Sequence, residues 1–422
     1  MINKFKEFYY NLKERIYLIA KKYSSKVGLD LPYFIKGGFW LSFGQFFSIL
    51  RGFILSVILA NMLSKESFGE YSFVLSILIL AGIFALPGMN FAIIQSVAKG
   101  YEGTYFRALM EVFKYSWIGS FILVGASVYM YFKGNFNLST IFLTLSVMFP
   151  FYSISPYYQS FLNGKKRFDL LSKLSSFFNV LLTLFVVAVV FITKSVFWIV
   201  VSIVLIQILI CGYFSVFYIR RFIKNSEIDE SSIDFGKGIS PSLALTGFAN
   251  NFDSLIMVHF LGFSELAIFK IVTVIPDQIK IFMDSLAPLI LPKMVSKDVS
   301  KKEIMGHFKK FLLLVILLIV IYWIIAPFIF KWFYPKYYDY VWLSMIFHLS
   351  FISFLSILPL NYLLKEKEKK FVSKYYNYSS IFLVIASFVF IYYMGLIGAI
   401  VARMLYRLFL IFLVLYYFLK SE

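Results

Sequence analysis

The amino-acid sequence predicts an all-α polytopic membrane protein, with about 12 transmembrane helices in two six-helix bundles related by a parallel repeat. Three observations predict it. Of the 422 residues, 60% are hydrophobic and 15% charged, against roughly 45–50% and 25% in soluble domains, and a mean hydropathy of +0.81 is more than one core can hide. Lys and Arg concentrate in alternate loops. A short segment after the first apolar run returns, 198 residues later, after the seventh.

A spanning helix needs roughly 20 mostly apolar residues. Bounded by charges or by Gly, Pro and Asn, the first six such runs are 35–61, 71–98, 114–132, 140–162, 174–193 and 195–219. The second six are 240–261, 269–292, 311–331, 340–363, 375–394 and 396–419. Two pairs are nearly continuous, so tight turns are expected at Thr193-Lys194-Ser195 and at Met394-Gly395. Pro87, Pro150, Pro156 and Pro276 fall inside runs and are kink candidates. The organisation expected is a cytoplasmic amphipathic segment (1–34), an N-lobe (35–219), a cytoplasmic linker (220–238), a C-lobe (239–419) and a short cytoplasmic tail (420–422). In the first segment Phe5, Phe8, Leu12, Ile16 and Ile19 recur at helical spacing among lysines, a pattern suited to a helix lying in the membrane interface and unlike a cleaved signal peptide.

With the N-terminus inside, the cytoplasmic segments hold 31 of the 41 Lys and Arg and the outer loops 6 (Lys65, Lys133, Lys194, Lys270, Lys331 and Lys336). The positive-inside bias then puts both termini in the cytoplasm and requires an even span number. It also accounts for the net charge of +19 without nucleic acid, for which no soluble segment is long enough. Cys211 is the only cysteine, so no intrachain disulfide is possible, and His259, His307 and His348 show no metal-ligand spacing. Phosphate-cradling glycine loops, zinc sites and nucleophile elbows are missing. The outer loops are too short for the paired carboxylates of a membrane glycosyltransferase or polymerase, so no catalytic residue, metal or cofactor is expected and the chain reads as a transporter.

The repeat matches Leu63-Ser64-Lys65-Glu66-Ser67-Phe68-Gly69-Glu70-Tyr71 to Leu261-Gly262-Phe263-Ser264-Glu265-Leu266-Ala267-Ile268-Phe269. Each is a short turn with an acidic residue, a small residue, then an aromatic opening the next helix. Because six is even, the two halves share one orientation. The run from Gly37-Gly38 through Leu59-Ala60-Asn61-Met62-Leu63 to Phe68-Gly69-Glu70-Tyr71 resembles the polysaccharide-biosynthesis (O-antigen-type) flippases of the multidrug/oligosaccharidyl-lipid/polysaccharide (MOP) exporter superfamily. Asn250-Asn251-Phe252-Asp253, Leu261-Gly262, Phe269 and Pro292 resemble that family's seventh and eighth spans, although Ala267-Ile268-Phe269 stands where the family shows a Gly followed two residues later by Tyr.

Charges inside a membrane cost at least ~2.5–3.5 kcal/mol on insertion scales and so face a cavity or a partner. Here they are Arg51, Asp253, Asp277, Lys280, Asp284, Arg403 and Arg407. Gly44, Ser48 and Arg51 form one helical stripe, Ser242, Thr246, Asn250 and Asp253 a second, and Thr273, Asp277, Lys280 and Asp284 a third. The three are expected to converge between the bundles. Lys280 pairing with Asp277 or Asp284, and Asp253 neutralising Arg51, are the structural alternatives. Gln45, Asn90 and Gln95 read as helix–helix hydrogen bonds. Arg403 and Arg407 have no acidic neighbour in their own helix.

The resemblance implies a flippase moving polyprenyl-diphosphate-linked oligosaccharide to the outer leaflet of the cell membrane by alternating access. Membrane lipids, a polysaccharide polymerase and other assembly proteins are its implied partners. Arg51, Arg403, Arg407, Lys280 and Asn250 are the candidate head-group ligands, since guanidinium matches diphosphate oxygens bidentately. Asp253 and Asp277 are candidates for coupling to H⁺ or Na⁺, with the membrane potential as the other drive. The competing reading is a cation-coupled multidrug exporter of the same superfamily. A peptidoglycan-precursor flippase would carry two further spans.

Overall fold

The structure is a computed structural model and describes residues 31–296, 301–365 and 369–420. Most of the amphipathic segment expected over 1–34, and the last two residues of the tail, lie outside the described residues. Among the described residues every regular element is a helix. α1 (Leu31–Met62) is followed by α2 (Lys65–Gly82) and α3 (Met89–Lys99), which form one rod broken around Pro87. Next come α4 (Thr104–Phe132), α5 (Phe136–Ile154) with its continuation α6 (Tyr158–Gly164), and α7 (Phe168–Thr193). α8 (Val196–Ile206) runs on through π-type turns to Tyr218 and a last turn ending at Phe222. The second half comprises α9 (Glu230–Phe260), α10 (Phe263–Ser296), α11 (Lys301–Phe333), α12 (Val341–His348) continued by α13 (Ile357–Lys365), and α14 (Lys369–Lys420). α14 is two rods, because Gly395 sits at φ 59°, ψ −133° between them, a conformation open to glycine. That gives 12 rods among the described residues.

Among the described residues, eight stretches are long and apolar enough to cross a membrane. The last of them, Asn377–Lys420, covers both rods of α14. The rods outside this set are α2–α3, α9 and α10. The first opens on Lys65, Glu66 and Glu70, and α9 carries Asn250, Asn251 and Asp253, so polar residues lower their apolarity where the expected stripes lie. Side chains such as Phe132 and Ile192, both 82% exposed, form the apolar exterior that a lipid-embedded protein presents and a soluble monomer avoids. The protein is a multi-pass membrane protein.

Local chemistry fixes the helix ends. Ser64 caps α2 by accepting the Ser67 N–H at 3.1 Å, Asn135 caps α5 through the Leu138 N–H at 2.9 Å, and Asp229 caps α9 through the Ser232 N–H at 3.1 Å. The two tight turns fall where expected, with Lys194 at φ 49° after α7 and Gly395 inside α14.

The two halves pack on each other at both ends. At the end bearing the Met62–Lys65 turn (the turn end), the backbone of Gly69 lies directly on the Phe263 carbonyl, leaving no room for a Cβ. Gly69 and Phe263 belong to the two matched repeat segments, so the repeats meet face to face. Ser56 and Tyr334 hydroxyls lie 2.7 Å apart, and Lys336 donates to the Asn61 and Leu63 carbonyls at 2.7 and 2.9 Å. Nearer the opposite end Gly88 and Gly236 approach backbone to backbone, and the Gly88 N–H donates to Ser240 Oγ at 3.0 Å.

The segment joining the halves is strapped down at that opposite end. Glu102, buried in the loop after α3, accepts from Lys165 Nζ and from the Lys224 N–H. Asn225 Nδ2 donates to the Gly100 carbonyl at 2.9 Å, and Lys99 pairs with Asp229 at 3.0 Å. Burial by itself raises the Glu102 pKa, but the Lys165 and Lys224 hydrogen bonds and charges outweigh it and hold the carboxyl below its usual range.

Candidate functional site

The intramembrane charges separate into two groups. In the second half, α9, α10 and α14 converge. Asp253, 1% exposed, accepts from Arg403 Nε at 2.5 Å, and Arg403 also donates to the Asn250 carbonyl at 2.9 Å. Asp277 accepts from Arg407 at 2.5 Å and lies 3.6 Å from Arg403. Arg407 donates to Ser350 Oγ at 2.8 Å, and its guanidinium stands 4.5 Å from the centre of the Phe347 ring. Two carboxylates and two guanidiniums thus alternate as Asp253–Arg403–Asp277–Arg407, each satisfying the charge of the next. Such pairing is what permits ions in a low-dielectric interior.

Several expectations are revised by this ladder. Asp253 pairs with Arg403 rather than with Arg51, and Asp277 forms ion pairs with two arginines of α14 as well as sharing its helix with Lys280. Asn250 contributes its backbone carbonyl. Lys270, expected in a loop, stands in the second turn of α10, where its charge acts on Asp253 and Asp277. The Asp284 side chain lies outside those described.

The stripe of the first helix does not join the other two. Gly44, Ser48 and Arg51 turn onto α7 within the first half, bounding a cavity of about 290 Å³ with Gln45, Ser172, Ser175, Phe178 and Asn179. Gln159 of α6 and Trp40 complete its polar and aromatic walls. α1 and α7 approach closely because Gly44 lacks a side chain: a Cβ there would sit 3.1 Å from Ser172 Oγ. Arg51 makes no salt bridge or hydrogen bond to a described residue, and its guanidinium lies 6.0 Å from the centre of the Phe178 ring. The Trp40 ring likewise faces a cation, Lys173 Nζ at 5.5 Å. Among the described residues no carboxylate lines the cavity. Arg51 is therefore a cation that no described acidic group neutralises, in a wall of uncharged hydrogen-bonding groups.

Gln45, read from sequence as a helix–helix hydrogen bond, lines this cavity, whereas Asn90 does bridge helices by accepting from Ser160 at 2.7 Å. Sequence reasoning missed the α7 wall. Its signal was present, since Ser172, Ser175 and Asn179 recur at i, i+3 and i+7 in an apolar helix.

The family described as polysaccharide biosynthesis protein matches residues 34–269, more than half of the chain. The sequence matches no curated protein. Among solved structures, the fold is similar to an inward-facing multidrug resistance MATE family transporter of the MOP superfamily (TM-score 0.63, 11% identity, covering 88% of this chain and 93% of that one). It is also similar to a eukaryotic MATE transporter (TM-score 0.63, 12% identity, covering 92% and 97%) and to the MATE multidrug transporter DinF-BH (TM-score 0.61, 13% identity, covering 92% and 95%). These likenesses carry the two-bundle arrangement.

Proposed function

Because the chain belongs to the polysaccharide biosynthesis protein family, we propose that it exports polyprenyl-diphosphate-linked oligosaccharide, carrying the head group from the cytoplasmic to the outer leaflet of the cell membrane. The observation that carries this reading is the Arg51 cavity: one guanidinium with no carboxylate beside it among the described residues, set among uncharged amides and hydroxyls. Such a wall suits an anionic group joined to a polyol. A cationic drug would meet Arg51 and Lys173 over the two aromatic faces it would need.

In this reading the lobes, 35–219 and 239–419, rock against one another while the polyprenyl tail stays in lipid. Both termini are cytoplasmic, so the turn end faces outward. The contacts at Gly69–Phe263 and Asn61–Lys336 are the outer seal, which must part for release. An inside-negative potential favours the direction, releasing about 4.6 kcal/mol per 100 mV if two negative charges cross the whole field. Arg403 and Arg407 reach a substrate only when Asp253 and Asp277 release them. Protonation or a bound cation at these carboxylates would do so, which makes the ladder the candidate for coupling to H⁺ or Na⁺. The work is transport without catalytic residues or cofactor, and a polymerase acting on the delivered glycan is the expected downstream partner.

The competing reading, a multidrug exporter, draws on the multidrug names of the similar structures, and one assay separates the two. Protein reconstituted in liposomes is expected to translocate a fluorescent polyprenyl-diphosphate oligosaccharide, and Arg51→Ala to lose most of that rate with assembly unchanged. Efflux of a cationic dye without lipid translocation would overturn the proposal.

A further inference from the structure

We propose that the lipid-exposed face of α8 and its continuation holds one anionic phospholipid, an acyl chain lying along Leu205, Leu209, Tyr213 and Phe217 and the phosphate meeting Arg220. Between Val201 and Ile219 these four are the exposed side chains, each 43% to 61% accessible, and they fall at every fourth residue. A regular α-helix cannot line up such a set, because a step of four residues overshoots one turn by about 40°. Over three steps the row would wind about a third of the way around the helix.

The π-type turns remove that drift. The Gly212 N–H reaches the Gln207 carbonyl and the Ile219 N–H the Phe214 carbonyl, each five residues back. Mixing this wider winding with α turns brings four residues close to one full turn, so the four side chains stand in a straight file. Such turns are rare and recur at functional sites. On the buried side Ser215 holds the winding: its hydroxyl donates to the Ser155 carbonyl at 2.6 Å and its carbonyl accepts from Tyr105 at 2.9 Å. On the exposed side the Tyr213 and Phe217 rings stack, 6.0 Å apart at 26°.

The file ends on a cation. The Arg220 guanidinium lies 5.8 Å from the centre of the Phe217 ring and 5.4 Å from that of Phe106 on α4, and Arg221 lies 5.7 Å from that of Tyr218. Both arginines are exposed, and neither makes an ion pair or hydrogen bond to a described residue. The other two described arginines at this end of the first half do: Arg107 pairs with Glu111 at 2.6 Å and Arg167 with Asp169 at 3.2 Å. Glu102 and Asp229 are taken by Lys165 and Lys99. A straight apolar file ending on such a guanidinium has the two parts a phospholipid needs, since a chain lies on the side chains and a phosphate meets the fork of donors. From Leu205 to Phe217 the file is about 18 Å long, close to the ~15 Å of hydrocarbon in one leaflet. Two adjacent cations favour a head group of net negative charge and repel the cationic end of a zwitterionic one. None of these residues lines the Arg51 cavity, so the lipid is a resident of the surface rather than the cargo.

The test is native mass spectrometry of the full chain released from detergent micelles, titrated with phosphatidylglycerol and, separately, with phosphatidylcholine of the same acyl chains. Wild type should bind the first phosphatidylglycerol at least about fivefold more tightly than phosphatidylcholine. Arg220→Ala should remove most of that preference, and Phe217→Ala should weaken both lipids while keeping it. Lys133→Ala, which removes a cation over the Tyr129 ring at the turn end, should match wild type. A short-chain prenyl diphosphate added to the wild-type complex should leave the phosphatidylglycerol in place. Equal affinity of wild type for the two phospholipids, or a preference that Arg220→Ala leaves intact or Lys133→Ala removes as fully, would overturn the head-group site. Wild-type binding of both lipids by Phe217→Ala would overturn the chain track, and displacement by the prenyl diphosphate would overturn a phospholipid as the occupant.

Discussion

Removing both members of the Asp253–Arg403 pair should cost less than the two single removals added together. The pair is 2.5 Å long with its side chains 1% and 18% exposed, so neither charge is rescued by bulk water. Breaking such a pair from one side costs about 3–5 kcal/mol, because the partner is left buried and uncompensated. The surroundings make the two single changes unequal. In Asp253→Ala, Arg403 keeps Asp277 at 3.6 Å and the Asn250 carbonyl at 2.9 Å, which places the loss near about 3 kcal/mol. In Arg403→Ala, Asp253 keeps the Ser254 hydroxyl at 3.2 Å and the more distant charge of Lys270, and Asp277 loses a neighbour as well. The loss should approach about 5 kcal/mol. The double change Asp253→Ala/Arg403→Ala removes both charges and should be less damaging than the two singles summed by about 2–3 kcal/mol. The assay is a double-mutant cycle on unfolding in mixed detergent and SDS micelles, followed by helical circular dichroism. Additivity within about 0.5 kcal/mol, or an Arg403→Ala protein within about 1 kcal/mol of wild type, as an exposed pair would give, would refute the argument.

Three further outcomes follow from other parts of the fold. Gly69→Val should open the turn end, because its side chain must displace the Phe263 backbone, at a cost of about 1–3 kcal/mol for overpacking; faster hydrogen exchange across 62–72 and 263–270 would report it, and unchanged exchange would refute it. Glu102 has a pKa below its ordinary 4.5, so its contribution to stability is fully present above about pH 4.5 and fades as pH falls through the lower folded-state value. The difference in melting temperature between wild type and Glu102→Gln should therefore be constant from about pH 7.5 to about 5 and shrink only below that. Arg51→Lys should retain only part of the transport rate, since an ammonium holds phosphate as a point charge and lacks the planar fork; wild-type rates in that variant would show that charge alone suffices.

Much of this architecture was legible because membranes constrain sequence so strongly. Apolar run length located the rods, and the turns at Lys194 and Gly395 stand where charge or glycine interrupts continuous apolar sequence. The repeat located a contact as well as a symmetry, since Gly69 and Phe263 touch. The pairing of charges was not legible. Helical spacing shows which residues share a face, but Asp253, Asp277, Arg403 and Arg407 come from three helices, and only their packing decides which acid meets which base. The same limit separated Arg51 from the second-half stripes: α1 turns its polar face to α7, and the choice depends on Gly44 fitting against Ser172. Lys270 was misassigned because a charge one turn inside a helix looks like a loop residue when only sequence distance from the turn is counted.

The central claim, that an anionic lipid-linked head group occupies the Arg51 cavity, is tested most directly by protection of a cysteine placed in its wall. Cys211, the native cysteine, is buried and gives a quiet background for Ser48→Cys in reconstituted protein. Polyprenyl-diphosphate oligosaccharide should slow modification of Ser48→Cys by a small polar thiol reagent several-fold, and a cationic dye should not. Modification at the same rate with and without the lipid, or protection by the dye alone, would contradict the account.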